Sequence, residues 1–292
     1  MSDRLRLWGP LLAASILAAM PAQAQPTIPS TFVFPSTAAD LSKPGFIWRV
    51  HQVATLEPNT NPRTDAQLAG LLGENIADPN VQGIALAPSS PPAPATAPIG
   101  FEISTVINLS VFGGEYNGNF VPDDQMPGVP GTTGSPNFVA AEVLTWLDLP
   151  AGNITLGVNS DDGFRMSIGG FNPSDQFAVK VGEFNGGRGA SDTLFTFNVP
   201  QAGLYAAHCT WEQGVGGANL EIFSIKADGT PALVNDIANG GIAAYRAVRI
   251  RPKGEPGAER RRHRSKRAHH RRTGGWTSRH RSSDDQTFGG RD

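Results

Sequence analysis

Two neighbouring carboxylates, Asp161 and Asp162, are the side chains of this 292-residue chain best placed to do chemistry. They lie in the stretch Leu149 to Gly170, which reads LPAGNITLGVNSDDGFRMSIGG. Adjacent negative charges repel and call for a compensating partner. A hard cation such as Ca²⁺, which takes oxygen ligands, is one such partner. Arg165, three residues on, is another, and an acidic turn open to solvent needs neither. Spacing alone leaves all three readings open. A second pair, Asp123-Asp124, sits next to the Pro/Gly run Met126 to Pro136 and reads as a solvated turn.

Catalytic patterns are missing from the chain. It has no Gly-x-Ser-x-Gly elbow, no His-Glu-x-x-His, no Walker loop and no dinucleotide fingerprint after a strand. Between residues 25 and 245 the histidines are His51 and His208, so a Ser-His-Asp arrangement would have to use one of them. Glycoside hydrolysis needs two carboxylates about 5–10 Å apart across a sugar. Sequence neighbours in a strand face opposite ways, which Asp161 and Asp162 would do. The expectation is therefore a binding or structural protein, not an enzyme, with no catalytic residue. His51 reads as a strand-face side chain, because no second histidine stands at ligand spacing. The single cysteine, Cys209, reads as a small buried hydrophobe.

The elements that must position the acidic pair are strands. Ile154 to Val158 alternates before it, and Phe164, Met166 and Ile168 share one face after it. Alternation on both sides of a Gly-containing polar loop predicts a β-hairpin with the carboxylates at its tip. Further strands are expected at Phe46–Val53, Phe101–Phe112, Val139–Leu149, Phe177–Phe184, Thr193–Val199, Leu204–Trp211 and Leu220–Ile225. Runs at roughly 10-residue spacing with turns between them predict an all-β antiparallel sandwich over about residues 100–226, with Phe46–Val53 as an added strand. One short helix is expected at Asp65–Leu72, capped by Thr64 or Asp65 and stopped by Gly73. The 34 glycines and 24 prolines agree with a loop-rich β protein.

Gly157-Val-Asn-Ser-Asp-Asp-Gly-Phe-Arg-Met resembles the signature of PA14-type β-sandwich domains, in which a strand ends in Ser-Asp-Asp-Gly and restarts with an aromatic or aliphatic residue and Arg. Ala202-Gly203-Leu204-Tyr205 resembles the opening of a later strand in that family. Trp211 to Phe223, WEQGVGGANLEIF, resembles its closing strands. The likeness covers residues 140–226 well and residues 45–139 loosely. It implies a jelly-roll-like sandwich. In sugar-binding PA14-like adhesins the Asp-Asp pair, joined by a cis peptide, holds Ca²⁺. Carried over by position, Asp161 and Asp162 match that pair, and Asn219 with nearby backbone carbonyls is the third ligand. Arg165 completes the expected ligand-binding set. The Gly-rich loop before Asn219 lacks the longer polar insert of the adhesins. Glu212 is expected to bond backbone groups of that loop, and Trp146 and Trp211 to lie in the core.

Net charge is −2 overall, but it is unevenly spread. Residues 25–245 carry 20 acidic and 7 basic side chains, whereas residues 246–292 carry 15 basic and 5 acidic ones. Residues 1–24 have the form of a signal peptide: Arg4 and Arg6, an apolar Leu11–Met20, then Ala22-Gln23-Ala24. No stretch reaches the roughly 20 apolar residues of a membrane span. The expected order is signal peptide 1–24, a lead-in with strand, helix and Pro-rich connector 25–98, a sandwich 99–245, and a disordered basic tail 246–292. That tail is open to three readings: non-specific polyanion binding, an unselected solvated segment, or translation past a frameshift. Specific nucleic-acid binding is not expected. Two function classes follow: an exported, Ca²⁺-dependent carbohydrate-binding module with glycan partners, or a cell-surface spacer or protein-contact domain with no metal or sugar site.

Overall fold

The computed structural model describes residues 25–86 and 94–248. The signal-peptide reading, most of the Pro-rich connector and the basic tail beyond residue 248 lie outside the described residues; the first residues assigned to that tail are part of the fold, Arg246 pairing with Glu102 at 3.1 Å and Val248 bridging Ala39. Among the described residues no helix is long and apolar enough to cross a membrane.

The lead-in makes two short 3₁₀ turns and buries Ile28 in the core. Strand β1 (Phe46–Gln52) follows, then helix α1 (Asn61–Leu68) and the short β2 (Ile84–Ala85). The run Phe101–Phe112 is two strands, not one: β3 (Ile99–Ile103) and β4 (Asn108–Ser110) belong to different sheets. The chain crosses the core between them, and Ile103, Ile107 and Leu109 all point inward. Then come β5 (Asp124–Gln125), β6 (Val139–Leu149), β7 (Gly152–Ser160) and β8 (Phe164–Ile168). The remaining strands are β9 (Val179–Phe184), β10 (Ser191–Val199), β11 (Gly203–Gln213), β12 (Asn219–Ile225), β13 (Pro231–Leu233) and β14 (Ala244–Tyr245).

Two sheets face each other, as expected for an antiparallel sandwich. The larger runs β2-β3-β1-β6-β11-β8-β9, with β14 also on β6; the smaller runs β10-β7-β12-β4-β5, with β13 on β12. Among the strands of the described residues only β4 and β5 pair in parallel, and the lead-in adds an isolated parallel bridge, Thr27 to Asn198. Strand β1 joins the larger sheet between β3 and β6. Alternation sets the inner faces. Trp48 of β1, Trp211 of β11 and Phe164 of β8 meet Leu156 and Val158 of β7, Phe195 and Phe197 of β10 and Leu220 and Ile222 of β12 in one cluster. Trp48 and Trp211 pack with their rings tilted, centroids 6.2 Å apart, and Cys209 is buried in the same cluster as expected. Trp146 is buried on the opposite face of the larger sheet, beneath Phe34.

Helix α1 begins four residues earlier than the sequence implies. Its cap is Thr60, whose Oγ1 accepts from Arg63 N at 3.3 Å, and Pro62 occupies the first turn. It ends before Gly70, which has φ +74°, and Leu71 beyond it is exposed. The buried side of α1 is polar: Asn61, Arg63, Thr64 and Gln67. Apolar periodicity therefore points to the wrong segment.

Candidate functional site

The Asp161-Asp162 pair is not at a hairpin tip. Strand β7 belongs to the smaller sheet and β8 to the larger, so Asp161–Gly163 is an arch from one sheet to the other. Asp162 takes a left-handed turn (φ +61°), tolerable for Asp because its short side chain can bond locally. The peptide Asp161–Asp162 is not the cis bond that the resemblance implies; the cis bonds among the described residues precede Pro122 and Pro130. The left-handed residue supplies the change of direction instead. At Gly163 a methyl group would stand 2.1 Å from Glu212 Oε1 and 2.9 Å from the carbonyl oxygen of Phe184, so a side chain at this corner would force its neighbours to shift.

The two carboxylates are placed differently. That of Asp162 is buried and accepts from two backbone amides, Arg188 N at 2.9 Å on Oδ1 and Gly214 N at 2.7 Å on Oδ2. Asp162 N donates to Arg188 O at 2.9 Å, and Ser160 Oγ donates to Asp162 O at 2.8 Å. Asp162 thus staples three segments: the arch, the loop before β10 and the loop after β11. The backbone of Asp161 is held as well, its carbonyl by Trp211 Nε1 at 2.9 Å and its amide by Asn219 O at 3.2 Å. Its carboxyl makes no hydrogen bond among the described residues. Burial, and then repulsion from Asp162, push that carboxyl up to about 6, with Arg188 pulling the other way.

Arg165 does not neutralise the pair. It points from the opposite face of the larger sheet and forms a bidentate ion pair with Asp65, Nη1 to Oδ2 at 3.0 Å and Nη2 to Oδ1 at 2.6 Å. Strand alternation requires this, because Phe164 and Met166 take the core side. The cation near the arch is Arg188. Its Nε donates to Ser160 O at 3.2 Å, Nη2 to Ser160 Oγ at 2.9 Å and Nη1 to Thr193 Oγ1 at 2.8 Å. Its guanidinium lies over the ring of Phe184, 4.3 Å from the centroid. Nothing in local sequence flags Arg188, which arrives 26 residues after Asp162 in a Gly-rich loop. Glu212 also departs from expectation: it accepts from Thr64 Oγ1 of α1 at 3.0 Å.

Asn219 lies beside Asp161, where the β7–β12 ladder ends. It is 1% exposed, its Nδ2 donates to Asn159 Oδ1 at 2.8 Å, and its Oδ1 has no partner. Gly217, in the loop before β12, backs onto the acidic pair: a methyl group there would stand 3.1 Å from Asp161 Oδ2. The Asp161 carboxylate, Asn219 Oδ1 and the carbonyls of the glycine loop are all oxygens, the donor type that Ca²⁺ takes and a soft metal does not.

A second concavity, of about 700 Å³, lies on the outer face of the larger sheet. Glu142 stands in its floor between Arg49, with which it forms an ion pair, and His208, whose Nε2 is 2.8 Å away. Burial alone would raise Glu142, but His208 and Arg49 together hold it below its ordinary range. The Asp65–Arg165 pair forms one wall.

No family model and no curated protein matches this chain. Among solved structures it is similar to the PA14 sugar-binding domain from an RTX adhesin, at 16% identity and a TM-score of 0.40, covering 65% of this chain and 94% of that one. It is also similar to the PA14 domain of the MpAFP antifreeze protein, at 14% identity and a TM-score of 0.41, covering 70% and 93%. A third likeness is to the A domain of Epithelial Adhesin 9 from Candida glabrata in complex with Galb1-4GlcNAc, at 10% identity and a TM-score of 0.42, covering 76% and 94%.

Proposed function

We propose that this chain is an exported PA14-like module that binds carbohydrate through a Ca²⁺ ion held at the Asp161–Asp162 arch. The carrying observation is the pairing of a hydrogen-bond-free Asp161 carboxylate with the buried, unpartnered Oδ1 of Asn219. A divalent cation would answer both, offsetting the charge and filling the empty acceptor. The Ser-Asp-Asp-Gly-Phe-Arg motif and the WEQGVGGANLEIF stretch support the same reading, as does a signal-like segment at residues 1–24. In this role Asp161 and Asn219 supply side-chain oxygens and the Gly214–Gly217 loop supplies carbonyls. Asp162, already anchored by two amides, fixes the geometry and retains lone pairs toward the ion. A bound Ca²⁺ supplies open coordination positions to which vicinal sugar hydroxyls bind.

One observation favours a second reading, a spacer or protein-contact domain with no metal. Asp162 already serves as a staple for two amides, and a proton on Asp161 would also relieve the repulsion. Melting with and without Ca²⁺ separates the two. At a hundredfold excess over Kd a ligand stabilises by about 2.7 kcal/mol, or roughly 5–10 °C for a domain of this size. The cation reading expects that rise, its loss in Asp161→Asn, and glycan-array signals abolished by chelator. An unchanged Tm together with chelator-insensitive or absent glycan binding would leave the spacer reading.

A further inference from the structure

The outer face of the smaller sheet carries a second polar cluster, roofed by residues 113–123. Asn108 and Ser110 are two residues apart on β4 and so share a face. Their cross-strand partners on β12 are Glu221 and Asn219. Asp123 closes the cluster from the roof, where Gly114 N donates to its carbonyl at 2.7 Å and its own amide donates to Glu115 O at 2.9 Å. Although the Asp123-Asp124 pair reads from sequence as a solvated turn, Asp123 is 3% exposed, Asn108 6%, and Ser110 and Glu221 are fully buried.

The roof is shaped to come down on Glu221. Asn119 N donates to both of its carboxylate oxygens, at 2.9 and 3.0 Å, and Phe120 N to Oε1 at 2.9 Å. Gly118 has φ +74°, and a methyl group there would stand 2.5 Å from the same carboxylate. Asn117 N reaches Asp123 Oδ2 at 3.3 Å, and Asn108 Nδ2 reaches Pro122 O at 3.1 Å. Asn108 Oδ1, Ser110 Oγ and Asp123 Oδ1 are buried without a close hydrogen-bond partner, although the Ser110 hydroxyl stands within reach of the Asp123 carboxyl. They accompany two buried carboxylates, those of Asp123 and Glu221.

Native interiors rarely leave such atoms unmatched. A proton on one carboxyl can donate to one of these oxygens, and the Ser110 hydroxyl to another, but the second carboxylate then stays charged and buried. Water answers the oxygens but not two adjacent negative charges. A hard cation answers all of them, and the set is wholly oxygen: two carboxylates, a carboxamide and a hydroxyl.

We propose that Asp123, Glu221, Asn108 and Ser110 form a second Ca²⁺ site, separate from the arch, that pins residues 113–123 onto the smaller sheet. The site does not depend on the arch reading. The test uses full-length protein stripped with chelator and titrated with Ca²⁺ by calorimetry. Hydrogen exchange is followed over residues 113–122. The wild type should bind one more ion per chain than Asp123→Asn. Asp161→Asn should keep this ion, along with the Ca²⁺-induced slowing of exchange in the roof. Ser110→Ala removes a ligand without changing charge, so its fold can be checked by circular dichroism; it should weaken this site about tenfold or more. Equal stoichiometry and affinity in the wild type, Asp123→Asn and Ser110→Ala would overturn the proposal. So would an Asp161→Asn protein that binds no Ca²⁺, a result that leaves the arch reading standing. A wild type that binds one ion, lost in Asp123→Asn and kept in Asp161→Asn, would support this site and reject the arch.

Discussion

Two chemically identical neighbours do different work in the arch. Asp162 is buried with two amide donors on its carboxylate, so removing it leaves Arg188 N and Gly214 N unpaired inside the protein. Hydrogen bonds to charged groups contribute roughly 1.5–3 kcal/mol each, and orphaned buried donors add a penalty of their own. Asp162→Ala is therefore expected to lose about 3 kcal/mol by urea denaturation, with or without Ca²⁺. Asp161→Asn removes a repulsive charge and no hydrogen bond. In chelator it should be neutral or slightly stabilising, and a loss matching that of Asp162→Ala would contradict this division of roles. Asp161 holds its proton up to about 6, and a ligand carboxylate must give that proton up. Calcium affinity at the arch should accordingly be flat above about pH 7 and fall as pH drops through 6, by about tenfold per unit below it. Calorimetry at pH 5 and pH 7.5 checks the sign. The pair itself was legible in the sequence, but its partner was not. Arg165 is three residues away yet faces the wrong side, while Arg188 comes in through a fold crossing that no local pattern encodes.

Period-two alternation showed where strands lie and which face is buried, and β6, β10, β11 and β12 fall close to where the pattern put them. It does not say which sheet a strand joins. That is why Phe101–Phe112 read as one strand and the segment around Asp161 as a hairpin, when each is a passage between sheets. Helix α1 was misplaced for a different reason: its packing is polar. The buried guanidinium of Arg63 has five N–H donors and five acceptors. Nε donates to Pro58 O, Nη1 to Gln67 Oε1 and Val139 O, and Nη2 to Asn59 Oδ1 and Gln213 O, at 2.8–3.2 Å. One side chain thereby ties α1 to the start of β6 and the end of β11, next to the arch. Arg63→Ala should cost about 3–4 kcal/mol by leaving those carbonyls buried and unpaired. Arg63→Lys should recover little of it, since an ammonium has three donors and lacks the planar fork. If Arg63→Lys melted within about 1 °C of the wild type, the hydrogen-bonded anchor would not be what holds α1.

At the scale of the molecule, buried ionisable groups set opposing pH limbs. Burial raises Glu212 to about 7, against the help of Thr64 and Arg63, and Asp161 to about 6. A carboxylate whose folded value exceeds its unfolded value binds more protons in the folded state, so its contribution is present at low pH and is lost as pH rises through the folded value. For Glu212 that window runs from 4.5 to about 7. His51 and Glu142 act oppositely. Burial holds His51 below 6.5, and His208 and Arg49 hold Glu142 below 4.5, so each contributes stability that is lost as pH falls. In chelator the protein should be most stable in mild acid, with Tm falling by roughly 5 °C or more between about pH 5 and pH 7.5. Glu212→Gln keeps the size of the side chain and a partner for Thr64 Oγ1 while removing the ionisation, and it should flatten much of that fall. Saturating Ca²⁺ should flatten the share due to Asp161, because the cation replaces the proton there. The two treatments act on separate groups and should add. A Glu212→Gln profile as steep as the wild type in chelator would show that Glu212 already ionises in the fold, and that the descent belongs to other groups.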